Sequence, residues 1–209
     1  MRQRIPPTPP PIKLLNYADD LEVFLSHPRE WDILMDLLQC YGAASNAKVN
    51  LNKTILMSLS GKHYLEWEQL ADTFGAQWHD AHSSEAVRYL GYPLYHNEDQ
   101  LSLFMASVKI KVLRHANILK ERRLSLRGAS TVVNSILLSR LWHVLRVTPV
   151  SEQWLKEMKS IVLSFLTPFW PKPSWDTLCL PRKYGGVGIV NVMDQSQALH
   201  FVYLPTTSL

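Results

Sequence analysis

Only two cysteines occur in the 209 residues, Cys40 and Cys179, and they stand far apart. That excludes a disulfide framework and a paired-cysteine zinc site, and it fits reduced thiols of an intracellular protein, nuclear or cytoplasmic and not secreted. No uninterrupted apolar run approaches the roughly 18 residues a membrane span needs. The best stretch, residues 135–150, is broken by Arg140, His143 and Arg146. The amino terminus has charge but no apolar stretch ahead of its prolines, so it is not a secretory signal. Acid is scarce in one place: between residues 106 and 146 Glu121 stands alone against Lys109, Lys111, Arg114, Lys120, Arg122, Arg123, Arg127, Arg140 and Arg146. The formal net charge of +4 decides little by itself, but this concentration points to a polyanionic partner, or to a solvated helical face.

What is abundant is apolar surface. A hydrophobic content of 46% with seven Trp excludes a largely disordered chain. The length suits one or two domains. Residues 1–13 are proline-rich and read as an extended lead-in, with Pro7-Thr-Pro-Pro10 spaced like a signalling-domain ligand. Residues 14–25, Leu-Leu-Asn-Tyr-Ala-Asp-Asp-Leu-Glu-Val-Phe-Leu, place Asp19 and Asp20 between two apolar runs. The pattern predicts strand, tight turn, strand, with Leu21, Val23 and Leu25 on one face. Adjacent carboxylates repel, so they share a proton or bind a divalent cation unless they are merely solvated turn residues. Hard oxygen donors without nearby Cys or His favour Mg2+ or Mn2+ over zinc.

Amphipathic periodicity follows. Pro28 suits a helix first turn, and Trp31, Leu34, Met35, Leu38 and Tyr41 recur at helical spacing as an inward face ended near Gly42. A loop then feeds a strand through Ile55, Met57 and Leu59, and residues 61–74 read as a short amphipathic helix. His79 and His82 are expected in a polar loop, with no third ligand near them. Residues 87–94 read as a bent strand pair around Gly91. From Asn97 the texture turns helical: Asn97 to Gln100 has capping form, ahead of Leu101, Phe104, Met105, Val108 and Val112. A second helix carries Val132, Val133, Ile136, Leu137, Leu141 and Val144, and Ser151 caps a third with Leu155, Met158, Val162 and Phe165 inward. Three amphipathic helices make a small bundle. Beyond residue 166 come Pro168, Trp170, Pro171, Pro173 and Trp175, with Lys172, Arg182 and Lys183 nearby. Those aromatics either pack inside or stack on single-stranded bases. Gly185-Gly186-x-Gly188 lacks the following Lys-Ser/Thr of a phosphate loop. A last helix is expected to begin near Gln195 and stop at Pro205. The fold class is α+β.

Tyr17-Ala18-Asp19-Asp20 with its flanking strands resembles the catalytic box of reverse transcriptases. Four later segments resemble the LINE-type, non-long-terminal-repeat retrotransposon enzymes, in the family's order. Residues 45–53, Ser-Asn-Ala-Lys-Val-Asn-Leu-Asn-Lys, resemble motif D, with Asn46 where glycine is usual. Tyr89-Leu90-Gly91 resembles the primer grip. Residues 125–139 resemble the thumb, and residues 174–189 the connector that follows it.

The resemblance implies the C-terminal half of a palm over residues 14–96, a helical thumb over 97–166 and a connector over 167–209. It further implies Asp19 and Asp20 as magnesium ligands for RNA-directed DNA synthesis, and Lys48 or Lys53 beside the leaving pyrophosphate, unless both are plain surface lysines. Tyr89, Leu90 and Gly91 would sit at the primer terminus. Lys109, Lys111, Arg114, Lys120, Arg122, Arg123 and Arg127 would lie along the template–primer backbone. RNA template, DNA primer and dNTP are the implied partners, with no membrane. The family's palm takes another carboxylate from an upstream strand for which the residues before Tyr17 leave no room. The expectation is therefore a truncated polymerase, inactive alone and associating with its missing half. The alternatives are a non-catalytic nucleic-acid-binding fragment and a remnant with no selected function.

Overall fold

The computed structural model of the chain describes residues 13–201. Most of the proline-rich lead-in and the stop expected at Pro205 lie outside the described residues. The fold is α+β, and the chain divides into two compact units after His82, earlier than the change of texture at Asn97.

In the first unit β1 (Leu14–Tyr17) and β2 (Asp20–Val23) form an antiparallel hairpin in the register Leu14 to Val23 and Tyr17 to Asp20. The turn holds only Ala18 and Asp19, and Ala18 takes a φ of +54°. Helix α1 (Arg29–Ser45) ends where Asn46 adopts a left-handed conformation, φ +58°, which Asn tolerates better than most residues. Here Asn46 does the work of the usual glycine. A single 3-10 turn (Leu51–Lys53) leads into β3 (Ile55–Met57). Helix α2 (Leu65–Phe74) then crosses to β4 (Gln77–His79), which pairs parallel with β3. Trp31, Leu56, Ala71 and Ala76 are the buried centre of this unit, with Leu34, Met35, Trp67, Leu70, Phe74 and Trp78 around them.

Three expectations fail here, the first being the strand expected through Leu59, which ends at Met57 and leaves Leu59 74% exposed. Tyr41 is 64% exposed, not inward. At 100° per residue it has rotated roughly 80° away from Trp31, and the small core beneath α1 does not reach that far round. Ile33, Leu37 and Tyr41 instead make an exposed apolar stripe. His79 is buried in strand β4 and is not a loop residue. The apolar residues flanking its strand are too few to show period 2, so the strand is set by pairing with β3.

The second unit begins with the hairpin of β5 (Val87–Tyr89) and β6 (Tyr92–Leu94), followed by α3 (Glu98–Lys120). Asn97 caps α3 by accepting from the Gln100 backbone N–H at 2.9 Å. The buried Gln100 side chain accepts from the His96 N–H at 2.8 Å and donates to the Ser83 carbonyl at 2.8 Å, tying the hairpin's approach to the helix start. Helix α4 (Leu126–Val132) runs through a π-helical segment (Val133–Leu138) into α5 (Ser139–Leu145). Ser151 caps α6 (Glu152–Leu166), as expected. Then come α7 (Trp175–Cys179) and α8 (Val192–Phe201), the latter starting earlier than Gln195.

The core of this unit runs along α3, α5 and α6 and takes in Trp175, Leu178, Ile189 and Val192 from the final segment. The π segment changes one predicted face. Ile136, expected inward, is 37% exposed, while Leu138 is fully buried. A π turn holds an extra residue, so the inward row runs Val133, Leu137, Leu138, Leu141. A period of 3.6 cannot show this shift.

Candidate metal-binding hairpin and nucleic-acid interface

Asp19 closes the β1–β2 turn and Asp20 is the first residue of β2; both side chains are exposed. The strands that carry them expose Leu14, Leu15, Tyr17 and Leu21 as well, an unusual amount of apolar surface for a short hairpin. Two adjacent carboxylates at a turn are hard donors of the kind magnesium or manganese accepts, since magnesium takes one or two carboxylates and keeps several waters. Among the described residues no group of three or more His, Cys, Asp or Glu side chains converges to hold a metal. The donor chemistry therefore fits a partial shell.

Lys48 lies in the loop after α1 and Lys53 ends the 3-10 turn; both are exposed. Lys48, Val49, Asn50, Leu51 and Asn52 line an open depression. Among the described residues, none of the ion pairs involves Asp19, Asp20, Lys48 or Lys53.

The cations of the second unit fall into two groups. Lys109 pairs with Glu157 across α3 and α6, and its ammonium holds the Glu157 carboxyl below its ordinary range. Lys120 donates to the Ser164 hydroxyl at 3.0 Å. Lys111, Arg114, Arg122, Arg123 and Arg127 are exposed and appear in none of the ion pairs among the described residues. Arg123 sits in a left-handed conformation, φ +46°, between α3 and α4. Ser125 caps α4 by accepting from the Gly128 N–H, which starts a new helix just beyond the arginine pair. Arg114 lies among exposed Ile110, Leu113 and Ile118 on the outer side of α3.

The final segment is docked by one side chain that sequence reasoning did not single out. Asn134, in the π segment, donates to the Gly188 carbonyl at 2.8 Å and accepts from the Val190 N–H at 3.1 Å. One turn earlier, Thr131 accepts from Arg182 at 3.3 Å. One of the aromatics packs inside and others stay exposed. Trp175 is buried, with its indole N–H on Asn191 and Lys159 over its ring, whereas Trp170 is 86% exposed. Tyr184 is also exposed, with the Lys183 ammonium 4.7 Å from its ring centre.

Two histidine arrangements were also missed. His63, on the approach to α2, contacts the buried Asp80. His143, on α5, bonds across the Leu90–Gly91 turn. A histidine beside no other candidate ligand in sequence carries no signal that it meets a partner 17 or 53 residues away.

The chain is similar to an uncharacterized 149 kDa protein of transposon TX1 from Xenopus laevis, 26% identical over 190 residues. That match covers 88% of this chain and 14% of the transposon protein. No family model matches the chain.

Proposed function

We propose that the chain is the palm-end, thumb and connector part of a LINE-type reverse transcriptase, and that its helical unit holds a primed RNA template by phosphate contacts. The observation that carries the reading is the hairpin: Tyr17, Ala18, Asp19 and Asp20 lie at its tip with both carboxylates exposed, on a chain similar to a transposon protein over most of its length. In that reading Asp19 and Asp20 supply part of a magnesium or manganese shell, completed by further oxygen ligands. A bound ion of this kind stabilises charge on the attacking and leaving oxygens of nucleotidyl transfer. Lys48 or Lys53 would meet the leaving pyrophosphate. The Tyr89–Gly91 turn would meet the primer terminus, and the exposed cations from Lys111 to Arg127 the duplex backbone. Phosphate contacts position a duplex without reading its sequence, as a processive polymerase requires.

Primer extension on an RNA template with magnesium tests this, with Asp19→Asn and Asp20→Asn in parallel. No extension by the chain, with nucleic-acid binding retained, is the expected result. Extension lost in both variants would mean that these residues hold a complete set of metal-binding carboxylates, and the palm assignment would fall.

A second reading, a non-catalytic nucleic-acid-binding protein, is favoured by Arg122, Arg123 and Arg127, which are exposed and in none of the ion pairs among the described residues. Binding that survives Asp19→Asn and no extension in any longer polypeptide containing the chain would favour it.

A further inference from the structure

The β5–β6 hairpin turns through only two residues, Leu90 and Gly91, because Tyr89 pairs with Tyr92. Both are left-handed, with φ of +48° and +89°. Such a turn matches the twist of the strands and is usually built from Asn-Gly or Gly-Gly. Leucine in its first position crowds its own backbone, and a conformation of that kind persists only where the surroundings impose it. Three-residue strands supply little restraint of their own.

His143 imposes it. Its Nε2 lies 2.8 Å from the Leu90 carbonyl oxygen, and its Nδ1 lies 3.2 Å from the Tyr92 hydroxyl. A carbonyl only accepts, so Nε2 carries a proton and donates to it, while Nδ1 meets the Tyr92 hydroxyl, which can donate or accept. The two rings also stack, with centroids 4.1 Å apart and planes inclined by 30°. Gly91 makes room for this: a Cβ there would lie 3.1 Å from His143 Nε2. The ring is mounted on α5 beside the fully buried Leu141 and Leu145, so it extends the fixed core of the bundle to the tip of the hairpin.

We propose that His143 is a positioning residue for the Tyr89–Leu90–Gly91 turn, setting where that turn meets a primer terminus relative to the basic helices of the same unit. This rests on reading the turn as a primer-terminus contact. Because the ring is exposed and holds the turn rather than the core, its loss should leave the helices folded.

The test compares two labelled RNA–DNA hybrids on the full chain, one with a recessed DNA 3′ end and one blunt. Wild type is expected to prefer the recessed end. His143→Ala should lower that preference by roughly tenfold, as loss of two solvent-exposed hydrogen bonds implies, with affinity for the blunt hybrid and the thermal midpoint nearly unchanged. His143→Gln, whose amide N–H can reach the Leu90 carbonyl, should restore part of it. A full preference in His143→Ala, or a parallel loss on both hybrids, overturns the positioning role. A wild-type chain that binds both hybrids equally overturns the primer-terminus reading itself, and the role of His143 with it.

Discussion

Asp80 is buried at the end of β4, and His63 reaches across to it, Nδ1 to Oδ2 at 2.9 Å. The Trp78 indole donates to the same oxygen at 3.0 Å and the His82 backbone N–H to the other at 2.8 Å. The far nitrogen of His63 lies 3.3 Å from Glu68 on α2. Burial pushes the Asp80 pKa up, but the donors from His63, Trp78 and His82 outweigh it and bring it down to about 2.

The folded-state pKa thus lies below the ordinary 3.8. The stability it confers is present above the unfolded value of about 4 and is lost as pH falls through about 2, below which both folded and unfolded forms are protonated. Asp80→Asn should destabilise the first unit at neutral pH by roughly 2 kcal/mol. It should also flatten the acid limb of a denaturation series followed by Trp78 fluorescence between pH 4 and 2.

Asn134 satisfies two backbone groups of the final segment at once. Asn134→Ala leaves the Gly188 carbonyl and the Val190 N–H without it, at a cost of roughly 1–3 kcal/mol. Asn134→Asp keeps the acceptor for Val190 but sets a carboxylate oxygen against the Gly188 carbonyl, so its cost should be at least as large. Hydrogen exchange should show faster amides over residues 187–191 in the alanine variant, while α3 stays protected.

Two glycines should respond in opposite directions. A Cβ on Gly186 would lie 2.0 Å from the Leu180 carbonyl oxygen, so Gly186→Ala must open the turn, at roughly 1–3 kcal/mol. Gly128, in the first turn of α4, has its nearest neighbour at 3.5 Å and ordinary helical geometry. Gly128→Ala should stabilise by roughly 0.5–1 kcal/mol. Thermal melts of the two variants check both signs.

The local elements were largely legible because short-range rules decide them. Asn97 and Ser151 cap helices by side-chain bonds three residues on, and the inward row of α3 follows its period. The acidic hairpin was legible for the same reason: two apolar runs around a two-residue turn define it. The failures are tertiary. Whether Tyr41 is covered depends on what packs beside α1, and the extra residue of the π turn that exposes Ile136 has no period to betray it. The sequence also shows nine cations but not that Lys109 spends its charge on Glu157. The tie from His143 to Leu90 joins a helix to a turn through no shared pattern, so only the fold reveals it.

The salt dependence of binding to a recessed RNA–DNA hybrid bears most directly on the proposal that the helical unit holds primed nucleic acid. The logarithm of the association constant should fall linearly with the logarithm of salt, by roughly 0.9 for each phosphate neutralised. Arg122→Ala with Arg123→Ala should weaken binding and shallow that slope by about two phosphates' worth. Lys109→Ala should change it little, because that ammonium is already paired with Glu157. Affinity that is indifferent to salt, or a slope unmoved by losing both arginines, would contradict a phosphate-tracking thumb.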